Sequence, residues 1–174
     1  MGLWLCSFTV DLMIPPMKIL PALCFVFLAL AAVAAENPYD EKADAKLDIK
    51  QALAQAATNH LQVIVVFGAN WCPDCKTLDA AMQTGASAPL LARDFRIVKV
   101  NVSDDLHNFE RNKDVAGSYG VPLEKGIPAV VILSPQNQVL YATRAGELAE
   151  ARQLGDKGIY EFFKRVTAPP PAKP

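Results

Sequence analysis

Leu61-Gln62-Val63-Ile64-Val65-Val66-Phe67 is followed closely by Trp71-Cys72-Pro73-Asp74-Cys75. The first run is apolar and rich in β-branched residues, and reads as a buried strand. Pro73 suits the first turn of a helix, where a missing N–H costs nothing. A strand giving way to a helix here puts Cys72 at a helix N-terminus. Exposed N–H groups and the macrodipole favour a negative sulfur at that point. The thiolate is the nucleophile of sulfur chemistry, so the spacing points to thiol–disulfide exchange. Cys75, one turn on, shares the face and can close a disulfide with Cys72.

Outward from this stretch, the chain alternates helices and strands. Lys46–Asn59 reads as an amphipathic helix with Ile49, Ala52, Leu53 and Ala56 on one face, ended by His60. The dithiol helix runs from about Pro73 to Met82. Gly85-Ala86-Ser87-Ala88-Pro89 breaks it and Leu90–Asp94 resumes it. Phe95–Val102 is a second strand. Ser103-Asp104-Asp105 caps an expected helix from Leu106 to Tyr119, with Phe109, Val115, Ala116 and Tyr119 as its buried stripe. Ala129–Leu133 and Gln138–Thr143 form an antiparallel hairpin across a short turn. A helical region then starts at Gly146-Glu147. Gly155–Gly158 interrupts it, with Asp156 as a possible cap, and Ile159, Phe162, Phe163 and Val166 recur at helical spacing. The order α-β-α-β-α-β-β-α makes a mixed sheet with helices on both faces, an α/β/α sandwich.

Trp71-Cys72-Pro73-Asp74-Cys75-Lys76, Tyr119-Gly120 and Gly126-Ile127-Pro128 together resemble the thioredoxin superfamily over about Ala45 to Val166. The resemblance implies a four-stranded sheet of order 2-1-3-4, with the first two strands parallel. It implies that Cys72 is the nucleophile and Cys75 the resolving thiol. It also implies a cis Ile127–Pro128 bond facing the dithiol, with the Ile127 backbone pairing to the substrate chain. Trp71 becomes a lid beside Cys72, although an aromatic core plug is the ordinary reading. Gly146 matches a glycine of the flat partner-binding surface, although a helix-start glycine is the ordinary reading there. Pro128 alone reads only as a proline at a strand start. The chain departs from the family twice. Val66 stands where many thioredoxins bury an aspartate six residues before the nucleophile, and Val121-Pro122-Leu123-Glu124-Lys125 lengthens the approach to Ile127-Pro128.

Asp74 lies between the cysteines. A unit charge at roughly 6 Å in an effective dielectric near 40 costs a thiolate about 1.4 kcal/mol, or one pKa unit. That favours a reductant or carrier over a disulfide donor or isomerase. The bland role of Asp74 is to complement the helix dipole.

Ahead of the domain, Met17-Lys18 opens a charged segment, Ile19–Val33 is almost unbroken apolar sequence, and Ala32-Val33-Ala34-Ala35 offers small-residue cleavage sites. This reads as a secretory signal peptide within a leader over 1–35, with Met17 the expected start, and Glu36–Asp44 a polar lead-in. An uncleaved anchor in the inner membrane is the alternative. Loss of the leader removes Cys6 and Cys24 and leaves one dithiol. The tail over 167–174 is proline-rich. The formal net charge of −1 argues against a basic nucleic-acid surface. His60 and His107 lack ligand spacing with the cysteines, so no metal is expected, and with the dithiol as redox centre no organic cofactor is needed; the metal-handling alternative is a non-catalytic binding module. The expected partners are protein thiols and disulfides of the periplasm or exterior, with a membrane electron donor, acting on a monomer.

Overall fold

The computed structural model describes residues 37–106 and 108–168. The leader, His107 and the end of the tail lie outside the described residues. Helix α1 spans Ala45–Asn59, and the Asp44 carboxylate caps it by accepting the N–H groups of Lys46 and Leu47. Its buried face is Ala45, Ile49, Ala52 and Ala56. His60 ends it in the left-handed conformation that lets the chain reverse.

Strand β1 (Gln62–Gly68) is buried from Val63 onward, as a central strand covered on both faces must be. β2 (Phe95–Asn101) pairs with it in parallel. β3 (Ala129–Leu133) pairs with β1 antiparallel, and β4 (Val139–Ala142) pairs with β3 antiparallel. The order is β2-β1-β3-β4, as the resemblance implies. α1 packs on β1 and β2, while α2 (Pro73–Gln83) packs on α5 (Ala151–Val166). Ile159, Phe162 and Phe163 form the buried stripe of α5, with Val166 half-buried. Gly155 breaks the helical geometry within α5 (φ 61°), at the expected interruption. Asp156 does not cap its own helix. Its carboxylate instead accepts the N–H of Ala86 at 3.1 and 3.2 Å, tying α5 to the turn before α3 (Ala88–Asp94).

The expected helix from Leu106 to Tyr119 shrinks to α4, Lys113–Ser118. Local side-chain bonds compete with helix formation over the first half. Asn108 Oδ1 accepts the Glu110 N–H, and Asn112 adopts φ 52° while its Nδ2 donates to the Asn101 carbonyl. Leu106 is exposed, so no apolar face rewards a helix there. Of the expected stripe, Val115 and Ala116 are buried, and Phe109 and Tyr119 are half-buried. No described helix is long and apolar enough to cross a membrane.

Candidate active site

β1 delivers the chain through Gly68-Ala69-Asn70 to the start of α2. Gly68 is required by packing, because a Cβ there would run into the ring of Tyr39. Asn70 holds that lead-in. Its Oδ1 accepts the Tyr39 N–H at 3.0 Å and its Nδ2 donates to the Tyr39 carbonyl at 2.7 Å. Cys72 then serves as N-cap of α2, with Pro73 in the first turn. Its Sγ accepts the backbone N–H of Cys75 at 3.2 Å, so one of the orphan donors of the helix points at the sulfur. Cys72 and Cys75 are joined as a disulfide, Cα atoms 5.2 Å apart. Cys72 retains 4% exposure and Cys75 none, so attack from outside the fold reaches Cys72 first.

Asp74 is not a bare charge. Its carboxylate accepts the Arg152 N–H at 2.9 Å and the Arg152 Nε at 3.1 Å, with Nη2 also at 3.1 Å. Burial pushes the Asp74 carboxyl up and is the largest single influence. The Arg152 backbone and side-chain bonds and the guanidinium charge together outweigh it and hold the group below the usual carboxylate range. Asp74 thus caps the first turn of α5, whose own cap residue Glu150 makes no side-chain bond. The repulsion of a Cys72 thiolate expected from the sequence is therefore partly cancelled by Arg152.

Opposite the dithiol, the Ile127–Pro128 bond is cis, and the Ile127 carbonyl oxygen lies 3.7 Å from Cys72 Sγ. Ile127 and Pro128 are both buried. Gly146 lies against the end of the loop before Ile127. At φ 73°, a Cβ on it would strike the Lys125 carbonyl, so glycine permits the close approach that seats the loop before Ile127. Trp71 is half-buried and meets Phe109 edge-on, ring centroids 5.9 Å apart.

Two more side chains of this neighbourhood escape a reading of the sequence. Val66 pairs with Lys99 across β1 and β2. The Lys99 ammonium lies against Oδ1 of Asp79, which is 11% exposed, and Asp79 Oδ2 accepts Gln83 Nε2 at 2.6 Å. Asp79 sits one turn beyond Cys75 on α2. An acidic residue recurring at that interval on an apolar face is the signal that could have found it. Among the described residues, no group of three or more His, Cys, Asp or Glu side chains could hold a metal ion.

The profile of the thioredoxin-like family matches residues 44–135. The solved structure of a disulphide isomerase from Xylella fastidiosa Temecula1 superposes with a TM-score of 0.70 at 44% identity, covering 75% of this chain and 97% of that one. Two plant proteins named protein disulfide-isomerase also match. That of Datisca glomerata is 27% identical over 86% of this chain, and that of Ricinus communis is 28% identical over 84%. The chain spans only 28% and 27% of the length of those two proteins. With a dithiol at a helix N-terminus facing Ile127-Pro128, and a sheet of order β2-β1-β3-β4, the chain belongs to the thioredoxin-like family.

Proposed function

We propose that this chain is an exported thiol–disulfide oxidoreductase that exchanges its Cys72/Cys75 dithiol with disulfides of partner proteins. The observation that carries the reading is the position of Cys72: N-cap of α2, its sulfur accepting the Cys75 N–H, and facing the Ile127 carbonyl. In the reduced state, the Cys72 thiolate attacks one sulfur of a partner disulfide. A Cys72–partner disulfide forms, and the second partner sulfur leaves as a thiolate that takes up a proton. Cys75 then loses its proton and attacks Cys72 Sγ. The first partner sulfur is released, and Cys72–Cys75 closes. The partner gains two electrons and two protons; the dithiol loses them. Ile127 offers its backbone to the partner chain, Pro128 and Trp71 border the sulfur, Pro73 fixes the first helical turn, and Asp74 tunes the thiol. No cofactor enters these steps.

The leader read from the sequence supports work in the periplasm or outside the cell, with the mature domain a monomer recharged by a membrane donor. The reductive direction rests on the Asp74 carboxylate beside Cys72, whose opposition to the thiolate the Arg152 counter-ion reduces but does not reverse. A second reading, disulfide isomerisation, is favoured by the 44% identity to the Xylella fastidiosa disulphide isomerase. The test is the reduction potential of the mature domain in glutathione buffers, with partner trapping in Cys75→Ser and Cys72→Ser. A value near about −270 mV supports the reductant, about −180 mV the isomerase, and about −120 mV overturns both in favour of a disulfide donor. Cys75→Ser should accumulate mixed disulfides and Cys72→Ser few; equal trapping overturns the assignment of roles.

A further inference from the structure

A cavity of about 740 Å³ opens between α4 and the loop Val121–Lys125. Phe109, Val121, Pro122 and Leu123 give it apolar walls, and Lys113, Glu124 and Arg144 supply its charges. Two contacts tie it to the redox centre. Phe109 packs edge-on against Trp71. Gly126 also lines it, and the following residue is Ile127, whose carbonyl lies 3.7 Å from Cys72 Sγ. An extended polypeptide advances about 3.3 Å per residue, so a side chain within about three residues of a cysteine held at Cys72 reaches the cavity.

Its charges are uneven. The Lys113 ammonium is 2.8 Å from Glu110 Oε1, and Glu124 adds a second negative field at the same group. No ion pair among the described residues engages Arg144. Its guanidinium stands over Gly120, both Nη atoms 3.5 Å from where a Cβ would be. An apolar pocket with one uncompensated guanidinium suits an apolar side chain accompanied by a carboxylate, which arginine grips with two parallel hydrogen bonds. The size is that of pockets which enclose small ligands, about 300–1,000 Å³.

We propose that this cavity is a specificity pocket for the partner polypeptide. It takes a large apolar side chain near the partner's cysteine, with an acidic side chain against Arg144. Glu124 turns that carboxylate away from the Lys113 end and so fixes the direction of the partner chain. The inference rests on the exchange reading above and names its substrate class.

Fluorogenic disulfide peptides test it: one with Phe and Asp flanking the cysteine, one with Ser and Lys. Each kcat/KM is divided by that for a small aryl disulfide, which reports the dithiol alone. The wild type should prefer the Phe/Asp peptide by about tenfold, the worth of one well-seated side chain. Arg144→Gln should cut the preference by about threefold, and Arg144→Glu should shift it towards the Lys peptide. Gly117 lines the cavity in a helical position where a Cβ meets nothing within 4 Å. Gly117→Phe, with room at its Cβ, should plug the pocket and abolish the apolar preference, whereas Gly117→Ala should keep it. Equal wild-type rates on both peptides, or variants that slow both alike, overturn the pocket while exchange stands. Failure to reduce even the small aryl disulfide overturns the exchange reading itself.

Discussion

Replacing Arg152 by Gln should make Cys72 a weaker acid, although Arg152 touches neither cysteine. Coulomb's law sets the size. An ionised carboxylate at roughly 6 Å from Sγ, in an effective dielectric of about 40, opposes the thiolate by about 1.4 kcal/mol. A guanidinium one hydrogen bond further out, at roughly 8 Å, returns about 1.0 kcal/mol. That dielectric lies between the values for a protein surface and bulk water, as suits an Asp74 side chain 13% exposed beside an Arg152 side chain 62% exposed. The pair together costs the thiolate only about 0.4 kcal/mol. Arg152→Gln removes the guanidinium but keeps the backbone N–H that Asp74 accepts, so the Cys72 pKa should rise by about 0.7 unit. Asp74→Asn leaves an unpaired cation and should lower it by about one unit. The potentials should move about 20 mV down and about 30 mV up, because stabilising the thiolate stabilises the reduced form. Thiolate absorbance of the reduced variants across pH measures the first quantity, and glutathione equilibration the second. Shifts of the same sign in the two variants, or no shift in Arg152→Gln, would refute the view that this ion pair governs the acidity of Cys72.

Asp79→Asn should destabilise the fold by about 2–3 kcal/mol, because it strands a partly buried Lys99 ammonium. Lys99→Met in the same background should recover most of that loss, and an unchanged denaturation midpoint in the single variant would show that the pair is idle. Asp74 titrates below its usual range in the fold, so its stabilisation is present above about pH 4 and lost as pH falls through the lower folded value. Asp74→Asn should accordingly flatten the acid limb of a stability–pH profile, and an unaltered limb would contradict this. Tyr141 is pushed up to about 12, first by burial and then by the Glu147 charge. Its contribution is therefore full below about pH 10 and lost between there and about pH 12. Tyr141→Phe keeps the edge-on packing against Phe162 and should show a shallower alkaline loss.

The elements legible in the sequence are those whose signal is local. β1 and β3 are unbroken apolar runs between glycine, proline and polar residues, and their observed ends fall within a residue of the expected ones. Pro73 and Gly155 act through backbone geometry that each residue carries with it, and both stand where the pattern predicts a helix to start or to break. The stretch before α4 departs from expectation because its composition tolerates a helix. Its asparagines instead commit their side chains to bonds with nearby and more distant backbone that the folded chain supplies.

The same distinction divides the site. Cys72 and Cys75 declare themselves by spacing, since a reactive pair one helical turn apart needs no distant help to be recognised. Asp74 declares only its formal charge. Its partner Arg152 is 78 positions away, and no local pattern reveals that the carboxylate caps a second helix and carries a counter-ion. Taken from the sequence alone, Asp74 is an isolated charge, and its pull on the thiol is overstated. Val66 makes the converse case. A valine in that place suggests an apolar floor beneath the dithiol. Yet Lys99 on the neighbouring strand and Asp79 on the dithiol helix bring a partly buried ion pair to the same strand pair and the same helix. In both places the charges that accompany the dithiol helix depend on who meets whom across the fold. A redox potential for such a domain is therefore better argued from its ion pairs than from the residues between its cysteines.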